Sequence, residues 1–103
     1  MHRMTILYGT PTDPEHFDRY YRDSHIPVAS AMEGLTRWTL SWMDEASEAA
    51  SGYHLVAELF AESSEALDVI LASPTGTAAS ADLGNFVTGG VTFLRGDETE
   101  VPV

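Results

Sequence analysis

The sequence predicts an α+β domain with the split β-α-β-β-α-β order of the ferredoxin-like fold, built on a four-stranded antiparallel sheet. Short β-rich runs and amphipathic helical segments follow one another in that order along the chain. With 103 residues the chain is long enough for one domain, residues 1–103, and its 44% hydrophobic content is enough for one core. Apolar side chains fall on both faces of the third predicted strand, so both faces of the sheet need cover.

The first half of the chain opens with a short β-rich run that Gly9 closes. Asp13 followed by Pro14 is typical of a helix start, because aspartate caps the helix and proline has no N–H to leave unpaired. Tyr20 and Tyr21 diverge by about 100° on that helix, so we expect only Tyr21 to face the core. The elements predicted here are a strand over 4–8, a helix over 14–24, a bend near His25 caused by Pro27, and a short helix over 27–32 that ends at Gly34.

The second half of the chain alternates strands with helix starts. Leu35–Met43 has a period of two that places Trp38 and Trp42 on one side. Asp44–Gly52 is acidic and rich in Ala and Ser, and we expect a loop there. The elements predicted here are strands over 35–43, 53–60 and 91–95, a helix that starts at Ser63 or Ser64, a helix from Pro74 to about Leu83, and an extended acidic tail over 96–103.

The third predicted strand indicates a partner chain. Leu55, Ala57 and Leu59 fall on one of its faces, while Val56 and Phe60 fall on the other. Helices in this topology lie on one side of the sheet, so a second sheet must cover the remaining apolar face. A two-fold related copy is the simplest source of that sheet, and we therefore expect a homodimer.

Charge and composition exclude several classes of function. Five Lys plus Arg against 16 Asp plus Glu give a formal net charge of −11, which repels nucleic-acid backbones and anionic membrane surfaces. We therefore expect no nucleic-acid and no membrane partner. The chain has no cysteine, no signal-peptide core and no apolar run long enough to span a bilayer, so we expect a cytoplasmic protein.

The sequence lacks the motifs of common cofactor and metal sites. No glycine-rich phosphate loop follows a strand. The four histidines lack the i,i+4 helical spacing of a ligand pair, and His54 and Glu58 lie about 13 Å apart along one strand face, too far to share an ion. We expect no cofactor and no metal site, which leaves acid–base chemistry by His, Tyr and carboxylate side chains.

Two segments carry a family resemblance. Residues 8–27 read YGTPTDPEHFDRYYRDSHIP, a strand end at Tyr-Gly followed by Asp-Pro, Phe-Asp-x-Tyr-Tyr and His-x-Pro. Residues 82–90 read DLGNFVTGG, just before the last predicted strand. Together these motifs resemble the EthD domain family, named for ethyl tert-butyl ether degradation, and the resemblance covers nearly the whole chain. It implies a dimeric α+β barrel, in a superfamily of cofactor-independent mono-oxygenases, lactone isomerases, polyketide cyclases and dehydratases, so it implies fold and dimer more strongly than a reaction.

His25 and Tyr8 are the candidate catalytic residues. His25 is predicted at the C-terminal end of the first helix, where the helix dipole favours a charged imidazole, beside an aromatic helix face. There it can act as a general acid or base, and the resemblance extends to it through the His-x-Pro motif; the alternative is a helix cap or a bond to a loop carbonyl. Tyr8 ends the first strand, where its hydroxyl can bind a substrate carbonyl; the alternative is a half-buried ring with a solvated hydroxyl.

Four further residues are candidates for substrate binding: Tyr21, Phe60, Asp82 and Phe86. Asp82 is predicted near a helix C-terminus, where a carboxylate is unfavourable, so it requires a partner; the spacing leaves open whether this is His25 or a loop amide. The two tryptophans form either a ligand wall or the core between subunits. We expect a cavity between sheet and helices of roughly 300 Å³ or more, lined by residues among Tyr8, Tyr21, His25, Phe60 and Phe86.

Three functions fit these residues. The first is a cofactor-independent enzyme that transfers protons on a hydrophobic or aromatic small molecule, as an isomerase, a cyclase or an oxygenase. The second is a binding or carrier module that delivers a hydrophobic compound to a partner oxidase in small-molecule catabolism. The third is a structural subunit without a ligand. A cavity with His25 facing into it favours the first two functions, whereas a cavity filled by Trp and Phe side chains favours the third.

Overall fold

The computed structural model describes all residues from 1 to 103. It contains four strands and five α-helices, together with one π-helical turn and one 3-10 turn. The strands are β1 His2–Gly9, β2 Arg37–Trp42, β3 Tyr53–Ala61 and β4 Val91–Asp97. The helical elements are α1 Pro14–Tyr20, the π-turn Tyr21–His25, α2 Ile26–Ala29, α3 Glu45–Ser51, α4 Ser64–Ala72, α5 Pro74–Asp82 and the 3-10 turn Leu83–Asn85.

The strands form one antiparallel sheet in the order β2-β3-β1-β4. β1 and β3 occupy its centre, and their pairing starts with His2 opposite Ala61. β4 pairs with the free side of β1, which places Phe93 opposite Ile6. This strand order confirms the predicted ferredoxin-like topology.

The core lies between one face of the sheet and the helices. Alternate residues of β1 and β3 point into it, as the period of two predicts, and α1, the π-turn and α4 supply the other side. Its largest fully buried side chains are Tyr8, Phe17, Tyr21, Leu55 and Leu67. The first three of these rings contact one another, so the core is aromatic at the end of the sheet where β1 stops.

The second face of the sheet carries no helical layer. Leu7 and Val56 are half-buried on it, and Leu94 on the edge strand is 54% exposed. Phe60 is buried there because the guanidinium of Arg37 lies 5.2 Å from the centre of its ring. The second copy that was predicted to cover this face stays a prediction.

The predicted loop over 44–52 is wrong, because α3 occupies Glu45–Ser51. Its Glu and Ala residues are strong helix formers, and glutamate lies in its first turn, where the helix dipole favours a negative charge. Gly52, with a φ of 77°, ends the helix in the left-handed conformation that favours glycine. None of its residues is buried, so α3 has no apolar stripe that periodicity would reveal.

The predicted bend near His25 is also wrong, because the chain stays helical over residues 14–29. The π-turn carries the helix past Pro27, since the N–H of Ile26 donates to the carbonyl of Tyr21, five residues back. Pro27 has no N–H to place, and the wider turn accommodates its ring. His25 therefore lies inside a continuous helix, and the argument that placed it at a helix C-terminus does not apply.

The remaining boundaries differ from the predicted ones by a few residues. β1 and β4 are longer than predicted, so β4 takes in the start of the tail, and α2 ends at Ala29 rather than Met32. Every helix falls short of the length and apolarity that a bilayer-crossing segment requires.

Candidate active site

A cavity of about 200 Å³ lies between the sheet and the helices. All four strands contribute residues to one wall, and the π-turn, α2, α4 and α5 contribute to the other. Phe93, which is 48% exposed on the edge strand, and the exposed Ser80 of α5 border it, so its mouth lies between β4 and α5. The cavity lies where the sequence predicted it, but it is smaller than the predicted 300 Å³ or more.

His25 borders this cavity and is held by a buried carboxylate. Its Nδ1 lies 2.9 Å from Oδ2 of Asp82, and both side chains are buried. Because a carboxylate has only acceptor atoms, Nδ1 carries a proton, and in the neutral form of the ring the lone pair is therefore on Nε2. His25 lines the cavity and Asp82 does not, so Nε2 is the nitrogen available to a ligand. The partner of Asp82 that the sequence left open is therefore His25.

Three donors converge on the Asp82 carboxylate. The Tyr20 hydroxyl donates to Oδ1 at 2.7 Å, the Asn85 amide donates to the same oxygen at 2.9 Å, and His25 donates to Oδ2. Burial acts to raise the pKa of Asp82, but the hydrogen bonds from Asn85, Tyr20 and His25 outweigh it and hold the pKa below its ordinary value. Asp82 is therefore ionised at neutral pH and fixes the orientation of the His25 ring.

The π-turn determines which helix side chains face the cavity. Its first and last residues, Tyr21 and His25, are both buried and both line the cavity, with ring centres 5.0 Å apart. Tyr20 is only half-buried and directs its hydroxyl to Asp82 instead. The prediction that Tyr21 rather than Tyr20 faces the core is confirmed.

The Tyr8 hydroxyl, the Tyr21 hydroxyl and the Trp38 indole N–H come together in the cavity wall. Burial raises the pKa of Tyr8 well above its ordinary value and that of Tyr21 to about 12, so both hydroxyls are protonated at neutral pH. The Tyr8 hydroxyl and the Trp38 N–H lie close enough to the Tyr21 hydroxyl to oppose the rise of its pKa.

Two of these atoms make no hydrogen bond of standard geometry within the protein, although both lie beside the Tyr21 hydroxyl. The Tyr8 hydroxyl and Nε1 of Trp38 are buried and make no hydrogen bond to another residue. Leaving a buried polar group unpaired costs about 1 to 3 kcal/mol. Native proteins keep few such groups, and those in a cavity wall are candidates for contact with a ligand.

Phe60 does not border the cavity, so the prediction that it lines the wall is wrong. Its neighbours Leu59 and Ala61 point toward the helices, and alternation along β3 therefore turns Phe60 to the opposite face, against Arg37. Within a single chain Phe60 has no access to a ligand in this cavity.

Phe86 also does not border the cavity, although the sequence predicted that it would. It is buried behind the wall, with its ring centre 4.9 Å from that of His25 and 5.2 Å from that of Tyr20. Phe86 therefore packs behind His25 and does not itself border the cavity. Of the predicted residues, Tyr8, Tyr21 and His25 line the cavity, and Asp82 and Phe86 hold His25 in place.

Trp38 belongs to the site, and the sequence did not assign it. It lines the cavity on the helix-covered face of β2, and Trp42 on the same face packs edge-on against Tyr21 at 5.9 Å. Of the two alternatives that the sequence left open, the ligand wall holds for Trp38, and the core between subunits holds for neither tryptophan. The β2–β3 register, which places Trp38 opposite Leu59, is the signal that would have found it.

A second histidine cluster lies outside the cavity. Nε2 of His54 lies 2.7 Å from Asp18, and Nδ1 lies 2.9 Å from Glu48, so both ring nitrogens donate to carboxylates and the ring is an imidazolium. Burial acts to lower the pKa of His54, but the hydrogen bonds to Asp18 and Glu48 outweigh it and raise the pKa above its ordinary value. Across the whole chain, no three His, Asp or Glu side chains are arranged to hold a metal ion.

Comparisons with known proteins agree on family and fold. The sequence model of the EthD domain matches residues 9–90. An uncharacterised 11.0 kDa protein from the thcB–thcC intergenic region of Rhodococcus erythropolis is 36% identical over 101 residues, which cover 98% of either chain.

Two solved structures show the same fold at low sequence identity. An EthD family protein from Bacillus halodurans superposes with a TM-score of 0.88 at 24% identity, over 96% of this chain and 99% of the other. SnoaB, a cofactor-independent oxygenase from Streptomyces nogalater, gives a TM-score of 0.70 at 14% identity, over 97% of this chain and 94% of the other.

Proposed function

This chain belongs to the EthD domain family, and we propose that it is a homodimeric enzyme that transfers a proton on a hydrophobic or aromatic small molecule without a cofactor. One observation carries the proposal: His25 is fixed by Asp82 at one ring nitrogen and borders the cavity with the rest of its ring. A general base has to be held in position and within reach of its substrate. His25 meets both conditions.

In the proposed reaction Nε2 of His25 removes a proton from the bound substrate. Asp82 stays ionised, keeps Nδ1 protonated and stabilises the imidazolium that forms. The Tyr8 hydroxyl, which stays protonated, donates a hydrogen bond to a substrate oxygen. In an isomerisation or a cyclisation the same His25 returns the proton at another position of the substrate. An oxygenation would in addition require dioxygen as the oxidant that reacts with the deprotonated substrate.

The lining of the cavity supports a small hydrophobic substrate. Met4, Ile6, Met32 and Leu59 contribute apolar surface, and neither Arg nor any other basic side chain besides His25 lines it. A volume of about 200 Å³ lies below the usual range for drug-sized ligands. The substrate is accordingly a compound of about one substituted ring.

The open face of the sheet supports the dimer. Leu94 is 54% exposed there, and Leu7 and Val56 are half-buried in the single chain. Burying this apolar face against a second copy removes it from water and contributes about 25 cal/mol for each Å² covered. The two-fold partner lies across the sheet from the cavity, so each subunit keeps its own His25.

A cofactor-independent oxygenase shares this fold, so the fold is compatible with cofactor-free chemistry. At 14% identity that likeness extends to the fold alone. A carrier that delivers a hydrophobic compound to a partner oxidase remains the second candidate, because an apolar cavity serves binding as well as catalysis.

Hydrogen exchange on a simple ketone tests the proposal without knowledge of the natural substrate. Phenylacetone has one aromatic ring and exchanges its α-C–H hydrogens for deuterium in D₂O when a base removes them. We expect the protein to speed this exchange, followed by NMR, and His25→Gln to lower the enhancement by about 100-fold or more. His54→Gln is the matched control and keeps the wild-type rate, because His54 does not border the cavity.

Two results would contradict the proposed mechanism. Phenylacetone that binds without faster exchange supports the carrier, because binding then occurs without proton transfer. Exchange that survives His25→Gln assigns the proton transfer to another group and removes His25 from the mechanism.

A further inference from the structure

The cavity has a built-in preference for the charge of its ligand. The whole protein carries a net charge of −11, and no Arg side chain borders the cavity. A permanently charged carboxylate or phosphate is therefore repelled on approach and finds no permanently charged counter-ion inside. The substrate must enter as a neutral molecule.

Inside the cavity, however, the wall contains hydrogen-bond donors that can stabilise a negative charge. The Tyr8 hydroxyl and the Trp38 N–H are buried donors that make no hydrogen bond of standard geometry, although the Tyr21 hydroxyl lies beside both, and both residues line the same cavity as His25. An N–H of indole donates only, and the Tyr8 hydroxyl keeps its proton because burial disfavours the phenolate. Donors fixed in a water-poor site stabilise an oxygen that gains charge during a reaction.

We infer that the Tyr8 hydroxyl and the Trp38 indole N–H form a donor pair for the oxygen of a neutral phenol or enolisable ketone as that oxygen becomes negative. The inference rests on the proposed function and names its substrate class. The two substrate types share one chemistry, because a phenol that loses its O–H proton and a ketone that loses an α-C–H proton both become oxyanions.

The step balances without a further reactant. The proton passes to Nε2 of His25, and in the ketone the C–H electron pair forms the C=C bond while the carbonyl π pair moves to oxygen. No electron is gained or lost overall, so the step needs no oxidant. The negative oxygen and the His25 imidazolium then lie in the same cavity as an ion pair.

Three ring compounds that differ in one substituent test the donor pair. 4-Nitrophenol carries the oxygen, nitrobenzene lacks it, and 4-nitrobenzoate carries a permanent charge. We expect the wild-type protein to bind 4-nitrophenol more tightly than nitrobenzene, by a factor of about ten or more. We expect 4-nitrobenzoate to bind most weakly of the three. Bound 4-nitrophenol shows the absorption band of the phenolate at a pH below its solution pKa.

Single substitutions separate the donors from the cavity. Trp38→Phe and Tyr8→Phe keep the rings and remove the N–H or the O–H, so each lowers 4-nitrophenol affinity toward that of nitrobenzene and leaves nitrobenzene binding unchanged. Trp42→Phe is the matched control, because Trp42 does not line the cavity, and it leaves the preference intact. Thermal melting verifies that each variant is folded, and nitrobenzene binding verifies that its cavity is intact.

The outcomes distinguish this inference from the proposed function. Equal affinity for 4-nitrophenol and nitrobenzene in the wild type, or a preference that survives both substitutions, overturns the donor pair even where phenylacetone exchange is normal. A preference for 4-nitrophenol that depends on Tyr8 and Trp38, in a protein that does not speed phenylacetone exchange, supports the donor pair for phenols and excludes ketones from the substrate class. Failure of all three compounds to bind overturns the donor pair and the ligand cavity together.

Discussion

Two histidines of this domain have similar partners and opposite roles. His25 and His54 both donate to carboxylates at hydrogen-bond distance, and both pack against aromatic rings. His54 uses both ring nitrogens, to Asp18 and Glu48, and ties α1 and α3 to β3. His25 uses one nitrogen and borders the cavity. A carboxylate beside a histidine therefore does not by itself indicate a candidate catalytic site, and what distinguishes His25 is a ring nitrogen that is free beside the cavity.

The largest effect is expected from neutralising the carboxylate that orients His25. Asp82→Asn lets the amide N–H₂ donate to Nδ1, which moves the ring proton to Nε2 and removes the base from the cavity. We expect phenylacetone exchange to fall by about 100-fold or more. ¹⁵N NMR of the His25 ring measures the change from the Nδ1–H to the Nε2–H form.

Asp18→Asn is the matched change at His54. It leaves phenylacetone exchange at the wild-type rate, because neither Asp18 nor His54 borders the cavity. A tautomer of His25 that stays the same in Asp82→Asn would contradict the orienting role of Asp82.

The second prediction concerns the pH dependence of stability. Because the folded pKa of His54 is raised above its ordinary value of 6.5, its contribution is complete below pH 6.5 and is lost as pH rises through the folded pKa. His54→Gln should remove this loss. Urea denaturation between about pH 5.5 and about pH 9 measures the free energy of unfolding, which we expect to decline with pH in the wild type and to decline less in His54→Gln. Parallel profiles for the two proteins would show that the pair of carboxylates does not hold a charged ring.

The third prediction compares two replacements of His25. His25→Ala leaves the buried Asp82 carboxylate with one donor fewer, and we expect a loss of about 1 to 3 kcal/mol in the free energy of unfolding. His25→Gln retains an N–H₂ that reaches Asp82 and should lose less, so the two variants separate the structural bond from the base. Equal stabilities of His25→Ala and His25→Gln, measured by urea denaturation, would show that a hydrogen bond to Asp82 contributes nothing to the free energy of unfolding.

The smallest effect is expected at the outer end of the Asp82 network. Tyr20→Phe removes the 2.7 Å hydrogen bond to Oδ1, so the pKa of Asp82 should move up toward its ordinary value of 3.8. A depressed carboxyl pKa contributes stability above pH 3.8 that is lost as pH falls through the folded pKa, so the variant loses part of that contribution. NMR titration of the Asp82 carboxyl measures the shift, and an unchanged pKa would exclude Tyr20 from the network.

The elements that the sequence predicted well are those with a clear period or cap. Alternation in β3 separated its two faces correctly, and Asp13 with Pro14 located the start of α1. α3 escaped prediction because its residues are exposed and carry no apolar stripe, although Gly52 marked its end. The continuation of the helix past Pro27 was not predicted, because a proline disfavours the helical conformation of the residue before it unless the turn widens.

The site was predictable residue by residue but not as an arrangement. His25, Tyr8 and Tyr21 were identified from local motifs, since all three lie in the continuous segment that runs from β1 to the π-turn. Asp82 lies 57 residues from His25 along the chain, and sequence spacing carries no information about a contact of that kind. The alternation along β2 indicates which residues share a face with Trp38. Only the strand register shows that this face is the one that the helices cover.

The π-turn has a consequence for comparing relatives of this chain. A π-turn is a regular helix with one residue inserted, and each residue turns the helix by about 100°. A homologue that lacks one residue between Phe17 and Pro27 would still form a helix across this sheet, but its histidine would rotate away from the cavity. A one-residue gap in an alignment at this place therefore separates relatives that keep a histidine beside the cavity from relatives that share only the fold.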